Sequence, residues 1–86
     1  MTDDIRPPAD PVRASIGANV RAEMARRGIA QVTISQVIGI SQRQISDRLL
    51  GRVGFEAKEL LQIAQHLEVP LERLMSLDDL GAEVSA

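Results

Sequence analysis

The stretch Gln31-Val32-Thr33-Ile34-Ser35-Gln36-Val37-Ile38-Gly39-Ile40-Ser41-Gln42-Arg43-Gln44-Ile45-Ser46-Asp47-Arg48-Leu49-Leu50 decides the fold. In its first half Ile34, Val37 and Ile38 stand at i, i+3 and i+4, the spacing of one helix face. The same residues are rich in β-branching, and a strand with Val32, Ile34, Ile38 and Ile40 on one face is locally competitive. A strand needs a partner, and the chain offers no second one, so a helix over Gln31 to Ile38 is expected. In the second half, Ser41 and Gln44 form a Ser-x-x-Gln capping box. Ile45 and Leu49 supply an i, i+4 apolar pair before Gly51, which predicts a helix over Gln42 to Leu50. Between the two, Gly39 is the turn position where φ above zero costs little, and Ile40 can plug the corner.

Working outward, Ile16, Val20 and Met24 recur at i, i+4 and i+8, predicting a helix over Ala14 to Arg27 that Gly28 ends. After a loop over Arg52 to Phe55, Leu60, Leu61, Ile63, Ala64 and Leu67 mark a fourth helix starting near Glu56. Pro70 suits the first position of a short fifth helix whose stripe is Leu71, Leu74 and Met75. Pro7, Pro8 and Pro11 with three Asp predict a flexible arm over 1–12, followed by a helical domain over 13–76. The acidic tail over 77–86 is expected to fray. The eleven residues after Met75 are too few for a self-cleaving second domain, so inactivation by that route is not expected. The fold class is all-α, five short helices with tight loops.

Eighty-six residues fit one small domain and no multi-domain enzyme. Ile, Leu, Val and Phe together make 25 of them, above the roughly 20% below which a chain does not fold. With no Cys and one His, disulfides, iron–sulfur clusters and closed zinc sites are unavailable, and the core must rest on aliphatic packing. Neither a signal-peptide core nor 18 successive apolar residues occur, so a cytoplasmic protein is expected, in the bacterial cytoplasm or nucleoid or in a phage-infected cell. The net charge of −2 at face value argues against nucleic acid. Divided by segment it argues the opposite. Residues 13–58 carry eight basic and three acidic side chains, or +5; residues 1–12 sum to −2 and residues 59–86 to −5. Nine of the ten basic residues are Arg, whose planar fork suits phosphates and guanine edges.

At about 100° per residue, Ile45, Leu49 and part of Arg48 on the Gln42–Leu50 helix face inward, while Arg43, Asp47 and Leu50 point outward, flanked by Gln42 and Ser46. Such a face is chemically suited to base edges: Gln to adenine, Arg to guanine, Asp to the cytosine amino group. The i, i+4 pair Arg43 and Asp47 is equally a surface ion pair, in which Asp47 would orient Arg43. His66 has no acidic or thiol neighbour at ligand spacing and is expected at the surface, with no metal and no cofactor. No nucleophile elbow, phosphate loop or ordered Ser, His and Asp pattern identifies an enzyme.

Gly28-Ile29-Ala30-Gln31, Ile34, Ile38-Gly39-Ile40-Ser41, Ile45-Ser46 and Gly51, then Glu59-Leu60-Leu61-Gln62-Ile63-Ala64 and Leu67-Glu68-Val69-Pro70-Leu71, resemble the Cro and phage-repressor, or Xre-like, helix-turn-helix family. The resemblance runs without a gap from about Ile16 to Met75. It implies a compact five-helix domain of the lambda-repressor type whose third helix lies in the major groove, bound as a pair of protomers on a two-fold operator. Carried over, Gln42, Arg43 and Asp47 stand where the family reads bases, with Ser46 beside them. Gln31 and Arg52 stand where it touches phosphate, Arg48 lies near enough to join them, and Gln44 completes the cap. Leu50, Val53 and Phe55 either cover the corner after the third helix or form a dimer contact. Leu77 and Leu80 are a weaker choice for such a contact.

Three positions depart from the family pattern. Arg48 stands at a commonly apolar position, which shifts the packing of the third helix onto Leu49. Glu23 stands where Leu is usual, with Met24 substituting, and Leu50 is apolar where a polar residue is common. The function implied is a sequence-specific transcriptional regulator, a phage or bacterial repressor. The alternative is a protein-interaction module, such as an antitoxin, adaptor or anti-regulator, acting through the acidic C-terminal surface.

Overall fold

The computed structural model describes residues 10–77, which form five helices: α1 (Pro11–Arg27), α2 (Gln31–Ile38), α3 (Gln42–Leu49), α4 (Ala57–Leu67) and α5 (Leu71–Leu74). The rest of the expected arm, the tail beyond Leu77, and Leu80 with it, lie outside the described residues. α1 opens at Pro11 rather than Ala14. Asp10 caps it, its carboxylate accepting from Val12 N at 2.9 Å and Arg13 N at 3.1 Å. Proline at the first helical position loses no intrahelical bond, so Pro11 begins the helix instead of keeping the chain extended, and Pro11 and Val12 are helical. At the other end Pro70 is the cap of α5 rather than its first residue, and α3 stops at Leu49 with Leu50 as its cap.

The β-branched stretch is helical, and no strand occurs among the described residues. Tertiary burial decides it: Ile34 is fully buried, Ile38 packs half-buried against the core, and Gly39 at φ 76 closes the helix in the left-handed region. Ser35 is buried too, its hydroxyl donating to Val32 O at 2.8 Å. The core gathers Val20 and Met24 of α1, Ile34 of α2, Ile45 and Leu49 of α3, Leu60, Ile63, Ala64 and Leu67 of α4, Val69, and Leu74 of α5. Each large aliphatic side chain removed from water contributes about 1.5–3 kcal/mol.

α3 lies against α1 and α2, and α4 against α2, α1 and α5. The approach of α3 to α1 is close enough to require glycine: a Cβ on Gly17 would overlap the Leu49 carbonyl oxygen and lie 2.9 Å from Arg48 O.

Glu23 does not yield its place to Met24, since both are buried. Its carboxylate accepts from Arg26 Nη1 and Arg27 Nη1 at 2.5 Å each, and Arg73 Nη1 of α5 lies 3.9 Å away. Asn19 completes the link between α1 and α5 by donating from Nδ2 to Leu74 O at 2.9 Å and Ser76 O at 2.7 Å. Burial alone would raise the Glu23 carboxyl, but the hydrogen bonds and charges of Arg27 and Arg26 outweigh it and hold the carboxyl below its ordinary value. A lowered folded-state pKa contributes stability above the unfolded value, near 4.5, that is lost as pH falls through the folded one. Urea denaturation followed across this range should therefore show wild type losing more stability below pH 4.5 than Glu23→Gln does. Parallel losses in the two proteins would exclude Glu23 as a source of the acid sensitivity.

Candidate nucleic-acid interface

The turn between α2 and α3 is held by backbone bonds that glycine makes possible. Gly39 N and Ile40 N both donate to Ser35 O, at 2.8 and 2.9 Å, and Ile40 packs against the core as the corner plug. α3 then starts on a closed capping box: Gln44 N donates to Ser41 Oγ at 3.1 Å, and Ser41 N donates to Gln44 Oε1 at 2.9 Å. Gln44 is thereby engaged in the cap, as expected. Ile45 and Leu49 pin the inner face of α3 in the core.

The outer face carries the side chains singled out in the sequence. Gln42 and Arg43 are exposed, and neither side chain has a hydrogen-bond or ion-pair partner among the described residues. Ser46 and Asp47 are half-buried beside them. The expected Arg43 and Asp47 pair is absent among the described residues, and Arg52 takes its place, with Nη1 3.8 Å from Asp47 Oδ1. The cause is the reversal after Leu50, where the chain folds back over the last turn of α3 and Asp47 O accepts from Arg52 N at 3.0 Å and Val53 N at 3.4 Å. Arg52 keeps 49% of its side chain exposed.

Gln31 is exposed at the start of α2, whose cap residue, Ala30, has no side-chain acceptor. The N–H groups of Gln31 and Val32 at the start of α2 therefore have no side-chain cap, the arrangement that favours an anionic oxygen at a helix N-terminus.

Arg48, expected among the phosphate contacts, is engaged within the protein. Its Nε donates to Glu59 Oε1 of α4 at 2.9 Å, and the two side chains are only 12% and 6% exposed. The guanidinium is turned inward because Arg48 and Glu59 occupy inward positions on their helices, where each supplies the other's counter-charge. Two opposite charges on inward positions of neighbouring helices are the one trace of this pair in the sequence, and helical spacing alone does not join them. The proposed dimer cluster also divides: Leu50 and Val53 are each 43% exposed, whereas Phe55 packs against the core and covers the corner.

His66 is exposed, and no group of three or more His, Cys, Asp or Glu that could hold a metal occurs among the described residues. No helix among them is long and apolar enough to cross a membrane. An open cleft of about 660 Å³ between α1 and α5 is lined by Asn19, Arg26 and Arg73, whose polar ends are engaged by the Leu74 and Ser76 carbonyls and the Glu23 carboxylate described above.

The helix-turn-helix family model matches residues 20–74, a span that holds the whole of α2, the turn, α3 and α4. The chain belongs to the helix-turn-helix family. Among solved structures, the restriction-modification controller protein C.AhdI from Aeromonas hydrophila superposes with a TM-score of 0.65 at 18% identity, over 71% of this chain and 92% of that one. The clp gene regulator ClgR from C. glutamicum gives 0.69 at 19% identity, over 74% and 83%. The hypothetical transcription factor NHTF from Neisseria gives 0.68 at 19%, over 88% and 87%. At such identities the likeness is one of fold. Among curated proteins none matches the chain.

Proposed function

We propose that this helix-turn-helix protein is a transcriptional regulator that binds double-stranded DNA in a sequence-specific way, a repressor of the phage or bacterial kind, with α3 in the major groove. The observation that carries this reading is the outer face of α3, where Gln42 and Arg43 stand exposed and unengaged on a helix fixed by its capping box and two core anchors. Family membership and the regulators that share the fold support the general class.

In this reading Arg43 donates both arms of its guanidinium to guanine O6 and N7, and Gln42 pairs with adenine. Ser46 bonds either base, and Asp47, steadied by Arg52, accepts from a cytosine amino group. Arg52, Gln31 and the open N-terminus of α2 hold phosphates and set the register without reading sequence. Leu50 and Val53 offer a small apolar contact for a second protomer on a two-fold operator. The acidic flanks repel arbitrary duplex, which makes the base contacts the larger part of discrimination.

Binding isotherms on a matched site separate the roles. Arg43→Ala should cost about 1–3 kcal/mol at that site and little on unrelated duplex. Arg52→Ala should weaken all sites alike and reduce the slope of log affinity against log salt by about 0.9. Equal losses for Arg43→Ala on matched and unrelated DNA would remove it from the base-reading set.

A further inference from the structure

The geometry points to Glu59, acting through Arg48, as the positioning residue that fixes the roll of α3 about its own axis and thereby aims the side chains that read DNA. The inference rests on α3 being the recognition helix.

α3 is eight residues long, and its fully buried anchors, Ile45 and Leu49, lie four apart on a single line. Two apolar contacts along one line fix how far the helix stands from the core. Dispersion contacts are non-directional and resist rotation about that line weakly; α1 and α2 restrain the helix further on their own sides, most closely where the Leu49 and Arg48 carbonyls meet Gly17, and so leave roll unopposed toward α4. The backbone supplies no such restraint on the α4 side, since no Cα of α3 comes within 8 Å of a Cα of α4. The gap is spanned by the Arg48 Nε to Glu59 Oε1 bond, at 2.9 Å, which leaves α3 to one side of the Ile45 and Leu49 line. A hydrogen bond has an angular requirement that an apolar contact lacks, so it restrains roll as well as distance.

Both ends of the bond are themselves held. Glu59 Oε1 also accepts from Glu56 N at 2.9 Å, locking the carboxylate to the first turn of α4, and Arg48 Nη1 makes a longer contact of 3.4 Å to Gln44 O in the first turn of α3. The bond therefore ties the last turn of α3 to the capped start of α4. A buried ion pair is weak evidence for net stabilisation, because desolvating two charges offsets most of their attraction, and an apolar pair would close the gap equally well. What the ion pair adds is direction.

The effect reaches the recognition face by leverage. A helix with its side chains is about 10–12 Å across, so a roll of about 15° moves a tip on the outer face by roughly 1.5 Å. That exceeds the whole distance range over which a base hydrogen bond survives.

The test uses the full chain carrying both Arg48→Met and Glu59→Gln. This double variant keeps an acceptor for Glu56 N and leaves no buried charge unpaired, so it should fold; Arg48→Lys, which loses the planar fork, serves as a second route to the same loss. Two quantities are read: the orientation of α3 relative to α4 from residual dipolar couplings, and the ratio of affinities for a matched site and one with a single base pair changed.

The double variant should show α3 rolled and the ratio reduced about tenfold, with low-salt binding to arbitrary duplex within about twofold of wild type. Glu59→Gln alone, which retains the interhelix bond, should keep both the orientation and the ratio. Unchanged orientation of α3 in the folded double variant would overturn the inference, whatever the ratio does. A changed orientation in a protein whose wild type shows no sequence preference would uphold the positioning role and defeat the base-reading function instead.

Discussion

Glu59→Ala should be among the most damaging single substitutions outside the aliphatic core, lowering the free energy of unfolding by about 3–5 kcal/mol. The substitution strands the Arg48 guanidinium, only 12% exposed, without its counter-charge. It also leaves Glu56 N without the acceptor that closes the start of α4. Small domains have about 5–15 kcal/mol in total, so the variant should stand near the edge of folding at ambient temperature. Chemical denaturation of wild type, Glu59→Ala and Glu59→Gln side by side checks the cause. The Gln variant retains both hydrogen bonds and should lose far less. If Glu59→Ala unfolds within about 1 kcal/mol of wild type, the Arg48 and Glu59 pair is not a buried interaction.

Gly17→Ala reverses the sign of an otherwise stabilising change. In an exposed helix interior, replacing Gly with Ala gains about 1 kcal/mol through helix propensity. At Gly17 the added methyl would overlap the Leu49 carbonyl oxygen and lie 2.8 Å from the Leu49 carbonyl carbon, and both obstacles are backbone. No rotamer change relieves them, so α1 and α3 must separate. The expected loss is about 3 kcal/mol, the upper end of what overpacking costs, which for a domain of this size lowers Tm by about 12 °C or more. A rise in Tm would show that the two helices do not pack this closely. Because the obstructing carbonyls belong to the last turn of α3, the variant should also weaken DNA binding beyond its effect on the folded fraction.

The helices were legible in the sequence because their apolar spacing and their caps agree. Ile16, Val20 and Met24 mark α1, and Ser41 with Gln44 marks the start of α3. The helical state of Val32 to Ile38 needed the further argument that a lone strand has no partner, since local propensity alone left it open. What escaped the sequence is long-range or depends on backbone conformation. The partner of Arg48 lies eleven residues away on another helix, and the partner of Asp47 is set by a chain reversal rather than by helical spacing. Glu68 ends α4 at φ 59, a left-handed conformation that nothing in a glutamate announces. Glu23 is a charge on an apolar stripe, and Arg26 and Arg27 reach it at i+3 and i+4 on the same helix; that Arg73 joins them follows from the packing of α5 on α1.

The candidate site divides along the same line. Exposure of Gln42 and Arg43 follows from helical periodicity and from the burial of Ile45 and Leu49, both readable in advance. The inward turn of Arg48 and of Phe55 depends on which neighbours they meet there, Glu59 for Arg48 and the aliphatic core for Phe55.

The most direct measurement is selection of duplexes from a random library by the full chain at moderate salt, repeated with Arg43→Ala. Wild type should enrich two-fold symmetric sites whose half-sites are about one helical turn apart, and Arg43→Ala should lose preference at one position in each half-site while retaining the rest. A pool with no enriched sequence, or one that Arg43→Ala enriches identically, would contradict base reading by α3.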